Sequence, residues 1–368
     1  MEAYPLKSLS IIEAQKLQFK LIECITHHFS GNEILTRGDL GITPKLNRPI
    51  TTDKVEKVIA EFFNAEAAML VRGSGTNAIR LAMHSILKKN QTLLIHDAPM
   101  YPTTKVSLEM LGIESVTADY NDYQKIMRVL DSQDVDGVLI QTTRQKLTDS
   151  YDLNELIHFF KSNYPELPII TDDNYAVLKT AGIGCEFGAD LSCFSTFKLL
   201  GPEGIGCIVG KRKWITRLKQ ENYSGGGQVQ GHEALDVLKG MIYVPVSQAI
   251  SATVCEEVMN RINNGEIPEI KEAVIVNAQS KVVVLKMNEP IAKEIIQRSS
   301  QYGALPNPVG AESKYEFCPL IYRVSGTFRE TDNEAEDFMI RINPNRAGAD
   351  TIMNILSKSI NDFKINKV

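Results

Sequence analysis

One lysine in this 368-residue chain stands where a surface lysine would not be expected. Lys198 closes Ser195-Thr196-Phe197-Lys198, after the apolar run at 191–194 and before Leu199-Leu200-Gly201-Pro202-Glu203-Gly204-Ile205-Gly206. Partial burial disfavours the charged form of an amine, and a neutral amine adds to a carbonyl as a Schiff base. Such chemistry needs further groups, and the sequence offers them. Gly73-Ser74-Gly75-Thr76 sits between an apolar run and a helical pattern. Backbone N–H groups at a helix start, with two hydroxyls, make an anion cup, and glycine lets the anion come close. Asp172-Asp173-Asn174-Tyr175 follows the apolar run at 168–171. A carboxylate there would pair with a protonated ring nitrogen, and the Tyr175 hydroxyl would donate to a ring oxygen. Tyr101 would stack on a flat heterocycle. Arg341, in Arg341-Ile342-Asn343-Pro344, offers a guanidinium fork for a substrate carboxylate. Ser195 would add a phosphate contact.

Lysine, phosphate cup, acid and stacking ring together suit pyridoxal 5'-phosphate. Other readings compete for single motifs. Gly73-x-Gly75-x-x-Ala78, with Asp97 after the next apolar run, fits a dinucleotide fingerprint and hence an NAD(P)-dependent dehydrogenase. That reading leaves Lys198 and Asp172 without work. Ser195-x-x-Lys198 matches the S-x-x-K of serine β-lactamases, but Ser-Asp-Asn and Lys-Thr-Gly are absent. Asp172 and Asp173, with His96 and Asp97, suggest a hard metal, yet adjacent strand residues face opposite ways. For each motif a plain turn, helix cap or packing role is the alternative.

These residues need a frame. From 67 to 209, short apolar runs alternate with helical patterns of roughly 10 to 13 residues, which predicts an α/β fold with a mostly parallel sheet covered by helices on both faces. Ligands bind beyond the carboxyl ends of such strands. A helix over 9–30, a cap at Thr51-Thr52-Asp53 and a long helix over 233–259, bent near Pro245, flank this region. Beyond it lies a smaller α+β domain, with strands at 274–276, 282–284 and 338–342 and a helix over 350–363. The expected organisation is an N-terminal helix and arm over 1–45, a large domain over 46–245 and a small domain over 246–368.

A net charge of −5 gives no reason to expect nucleic acid or anionic membrane as partner. No uninterrupted apolar run approaches the roughly 20 residues of a membrane span, and the N-terminus does not read as a signal peptide. Six scattered cysteines form no C-x-x-C pair. A cytoplasmic protein is the expectation.

Taken together, these motifs resemble the fold type I pyridoxal-phosphate enzymes of the aspartate aminotransferase superfamily, including the class V and Cys/Met-metabolism groups. Thr51-x-x-x-Val55-Glu56 through Gly73-Ser74-Gly75-Thr76 is similar to that superfamily's approach to its phosphate loop. Tyr101-x-x-Thr104 resembles the stacking tyrosine of the Cys/Met group, Asp172-x-x-Tyr175 the ring-binding acid and its partner, and Ser195-x-x-Lys198 the Schiff-base segment. Arg341 matches the carboxylate arginine. Residues 197–206 and 223–231 resemble a bacterial branch with class V-like and selenocysteine-synthase-like features. The resemblance implies a homodimer or higher homo-oligomer acting on an amino acid at Cα. An aminotransferase is expected first. A lyase eliminating a β or γ substituent from a sulfur-containing amino acid is the alternative, with a racemase beside it. Thr142-Thr143-Arg144-Gln145-Lys146 stands where many aminotransferases carry Asn-Pro-x-Gly.

Overall fold

The computed structural model describes residues 1–144, 146–277, 281–310, 312–324 and 334–366, so Gln145 lies outside the described residues. The chain divides into two units. The larger holds Ile12–Thr142 and Tyr151–Pro245; the smaller holds Met1–Ile11, Thr143–Ser150 and Val246–Val368.

In the larger unit, helices alternate with strands as the pattern of apolar runs predicts. The order is α1 (Ile11–His28), α2 (Ile50–Phe62), β1 (Ala67–Arg72), α3 (Ser74–Ile86), β2 (Thr92–His96), α4 (Pro102–Leu111), β3 (Glu114–Ala118), α5 (Tyr123–Ser132), β4 (Gly137–Gln141), α6 (Leu153–Asn163), β5 (Ile169–Asp172), β6 (Leu191–Ser195), β7 (Ile205–Gly210) and α7 (Arg212–Glu221). The seven strands form one sheet in the order β1-β7-β6-β5-β4-β2-β3. β2 to β6 pair in parallel, and β7 runs antiparallel to both neighbours, β1 and β6. Every residue of β6 and β7 is buried, as a sheet covered on both faces requires. Side chains alternate accordingly. Leu70, Phe194, Cys207 and Val209 join the core with Val58, Ile59 and Leu238. Their neighbours Met69, Val71, Cys193 and Ile208 join the opposite core with Ala82, Met83 and Ile215.

α2 begins at Ile50, ahead of the expected cap at Thr51-Thr52-Asp53. The reason is not local. Both carboxylate oxygens of Asp39 accept backbone N–H groups, from Ile50 at 2.7 Å and Thr51 at 2.9 Å, and so cap the helix from eleven residues upstream. Thr52 instead donates to the Val229 carbonyl at 2.7 Å.

The long helix α8 (Gly231–Asn263) contains Pro245. Among the described residues, Gly225–Asn263 is long and apolar enough to cross a membrane by length and composition. Its apolar side chains are placed otherwise. Ala234, Leu235, Val237, Leu238 and Met241 are buried in the core of the larger unit, and Cys255, Val258 and Ile262 in that of the smaller.

The smaller unit carries an antiparallel sheet in the order β10-β11-β9-β8, from β8 (Ile270–Val276), β9 (Val282–Met287), β10 (Leu320–Arg323) and β11 (Met339–Asn343). α9 (Ala292–Ser299) and α10 (Ala349–Asn366) bury Ala292, Ile295, Ile352 and Leu356 with Val283, Leu285, Ile340 and Ile342. β10 is an addition to the three expected strands. It is only four residues long and follows Cys318-Pro319, so it carries no clear alternation.

Candidate active site

β1, β6 and β5 end at the same edge of the sheet in the larger unit, with the start of β7 between β1 and β6, and the 73–76 turn, Asp172, Ser195 and Lys198 follow or close those strands. β1 ends at Arg72, opposite Ile205, and Ser195 at the end of β6 lies opposite Gly206. The turn from β1 into α3 is held down by β7. The N–H groups of Gly73 and Ser74 both donate to the Gly204 carbonyl, at 2.8 and 3.1 Å. Both residues adopt left-handed backbone, Gly73 at φ 93° and Ser74 at φ 61°. Glycine accepts this without penalty, and serine does not. The cup is therefore narrower than the four-residue turn suggests. Two of its amides are engaged, which leaves those of Gly75 and Thr76, in the first turn of α3, as its helix-start donors. The Ser74 and Ser195 hydroxyls meet at 2.6 Å and bring the β6 end to the same place. Gly206 has no room for a side chain, since a Cβ there would lie 2.2 Å from the Ser74 carbonyl oxygen.

Asp172 and Asp173 diverge, as strand alternation predicts. Asp173 is fully buried and accepts from Thr142 Oγ1 at 2.6 Å and Thr171 Oγ1 at 2.5 Å. It is a packing acid. Asp172 faces the other way, 8% exposed. Its Oδ1 accepts from the Asn174 backbone N–H at 3.1 Å and from Asn174 Nδ2 at 2.7 Å. No hydrogen bond from a described residue reaches its Oδ2. Burial is the largest influence on Asp172 and lifts its pKa to about 6, against the hydrogen bonds from Asn174 and the nearby Lys198 charge.

Lys198 lies in the 3-10 turn Thr196–Leu199, half-buried. Its Nζ donates to the Tyr175 hydroxyl at 2.5 Å and lies 3.9 Å from that ring's centroid. Lys179 Nζ lies 5.4 Å from the same centroid. The lysine turn is wedged from α8, where a Cβ on Gly240 would lie 2.5 Å from the Leu199 carbonyl oxygen. Tyr101 occupies the residue just before α4 and is 39% exposed. Thr103, two residues on, meets Thr76 through their hydroxyls at 3.4 Å, so the start of α4 adjoins the phosphate turn.

Arg341 belongs to the smaller unit. It is buried in β11, opposite Tyr322 of β10, with its guanidinium 4.1 Å from that ring's centroid. Residue types alone pick out Lys198, Asp172, Ser74 and Ser195. They do not pick out Asn174, a spacer inside the Asp172-x-x-Tyr175 motif, nor Gly204, whose carbonyl closes the turn.

Residues 46–247 match the family model described as Cys/Met metabolism PLP-dependent enzyme. The chain belongs to that family. Residues 256–356 match the YhfS-like C-terminal domain. The uncharacterized protein YhfS of Escherichia coli (strain K12) is 50% identical over 360 residues, covering 98% of this chain and 99% of that protein. The crystal structure of the pyridoxal-5'-phosphate dependent protein YhfS from Escherichia coli superposes with a TM-score of 0.97, covering 98% of this chain and all of that one. The structure of CalE6, a methionine gamma lyase from Micromonospora echinospora, has the same fold at a TM-score of 0.71 and 15% identity, covering 93% and 98% of the two chains. The Cys/Met enzymes use pyridoxal 5'-phosphate, and the residues present fit it. The carboxylate of buried Asp172, whose Oδ2 has no donor among the described residues, two helix-start amides beside two hydroxyls, and a half-buried amine match the cofactor's ring N–H, phosphate and carbonyl.

Proposed function

We propose that this chain is a lyase that removes a β or γ substituent from a sulfur-containing amino acid. The match of residues 46–247 to the Cys/Met metabolism enzymes carries the reading, because Lys198, Asp172 and the 73–76 turn all fall inside it. The methionine gamma lyase of the same fold supports it. Transamination, the reaction expected first alongside the family resemblance, becomes the second reading. The dehydrogenase reading is set aside, since the family takes a different cofactor.

In this reading Lys198 holds the cofactor through Nζ. The Gly75 and Thr76 amides and the Ser74 and Ser195 hydroxyls take its phosphate, with Gly73 setting the turn. Asp172 takes the ring N–H, Tyr101 stacks on the ring, and Arg341 binds the substrate carboxylate. When bound there, the cofactor accepts the electron pair left as a bond at the substrate Cα breaks. Lys198 then moves the Cα proton as a neutral amine, oriented by the Tyr175 hydroxyl. Asp172 stays ionised and holds positive charge on the ring nitrogen.

Purified holoenzyme offered amino acids with a thiol or thioether on Cβ or Cγ should release ammonia, keto acid and thiol in equal amounts. Keto acid formed only with an amino acceptor, and without ammonia, would establish transamination. Optical inversion without either product would establish a racemase.

A homodimer fits the same reading. Ile12 and Phe19, two turns apart on α1, are 66% and 65% exposed, and Leu35, Leu40 and Ile42 are exposed as well. Phe19→Asp is expected to shift the light-scattering mass from two chains towards one. An unchanged mass would remove this face from the interface. The six free cysteines support a reducing compartment, consistent with the cytoplasm.

A further inference from the structure

We infer that Asn174 is a positioning residue that locks the ring-binding carboxylate to the phosphate turn and to the end of the strand that leads into the lysine turn. The inference rests on the reading of Asp172 as partner of the ring nitrogen. Three contacts of one side chain support it. Asn174 Nδ2 donates to Asp172 Oδ1 at 2.7 Å. Asn174 Oδ1 accepts the Ser195 backbone N–H at 2.9 Å. The same amide fills the space beside Gly75, where a Cβ would lie 2.8 Å from both its oxygen and its nitrogen.

The geometry has a directional consequence. A carboxylate on a short side chain can turn about its Cβ–Cγ bond. Two donors from one residue on Oδ1, the backbone N–H at 3.1 Å and Nδ2 at 2.7 Å, hold the plane and leave Oδ2 as the acceptor for the ring. The backbone bond alone is an Asx turn and would survive truncation of Asn174. The Nδ2 bond would not, nor would the tie to Ser195. A hydroxyl or methyl at 174 is too short to span both partners. Glycine at 75 and asparagine at 174 therefore form a matched pair across the site.

The test uses holoenzyme loaded with pyridoxal phosphate isotopically labelled at its ring nitrogen, whose NMR shift reports protonation directly. In the native protein and at neutral pH the signal should lie at the protonated position. Asn174→Ala should move it towards the unprotonated position and weaken cofactor binding by roughly ten-fold or more, the loss expected for one hydrogen bond to a charged group. Asn174→Ser should do the same, and keeps the measurement possible if the alanine variant does not fold. Asp172→Asn is the control. If it shifts the signal while both Asn174 variants keep the native shift and affinity, the inference about Asn174 is overturned and Asp172 keeps its role. If Asp172→Asn leaves the signal unchanged, the reading of Asp172 falls first.

Discussion

Lys198→Ala is expected to lower turnover by about a thousand-fold and to leave the fold intact, because in the proposed function it removes the covalent hold on the cofactor and the amine that moves the substrate proton. The turn itself does not depend on the lysine side chain. Thr196 Oγ1 donates to the Ile205 carbonyl at 3.0 Å, the Gly201 N–H donates to the Thr196 carbonyl at 3.0 Å, and Leu199 is fully buried. Circular dichroism should therefore match the native protein. Borohydride treatment followed by peptide mass analysis gives the direct check. The native protein gains the reduced cofactor on the peptide holding Lys198, and the variant does not. Lys179 is the other amine at the Tyr175 ring. Label on its peptide in the native protein would reassign the covalent role.

Asp172→Asn should stabilise the apoprotein while disabling the enzyme. Burial lifts the folded-state pKa of Asp172 to about 6 from the usual 3.8. The folded chain thus binds this proton more tightly than the unfolded chain does. Stability falls as pH rises from the unfolded value to the folded one, and above both the buried charge costs about 3 kcal/mol, the equivalent of about two pH units. An amide has no such cost. The variant's denaturant midpoint should exceed the native one at about pH 8, with the difference vanishing below about pH 4. In the proposed function a cationic ring beside Asp172 would offset the cost in the loaded enzyme. The amide cannot supply that charge, so cofactor affinity and turnover should both fall, turnover by about a hundred-fold. Equal midpoints of the two apoproteins at high pH would contradict the buried-charge account.

What was legible in the sequence follows from the range of the interactions. Alternating apolar runs and helical stretches are local, and they gave the sheet and its covering helices to within a few residues. Lys198, Asp172, Ser74 and Ser195 were legible because each stands at a strand end with a side chain unusual for that place. The antiparallel direction of β7 was not, since the same apolar run serves either direction. With it went the Gly204 carbonyl that occupies two amides of the expected cup, a contact between neighbouring strands that lie far apart in the sequence. Asp39 capping α2 and Asn174 bridging Asp172 to Ser195 were hidden for a related reason. Each is a common polar residue whose importance comes from a partner distant in sequence.

Gly206 and Gly240 bear on how other sequences should be read. Each sits where a Cβ would collide with backbone, at the Ser74 carbonyl for one and at the Leu199 carbonyl for the other. Replacing a lysine takes one substitution and leaves such surroundings unchanged, whereas adding a methyl at either glycine forces the backbone to move. The glycines thus mark whether a sequence can build this turn, independently of whether it keeps the lysine. A homologue that keeps both but lacks the lysine would be a lapsed enzyme that still builds the cradle, and should still take up the cofactor, reversibly, on dialysis against it. One that has lost the glycines while keeping the lysine must have rebuilt the turn, and its lysine should not be assigned the same work by alignment.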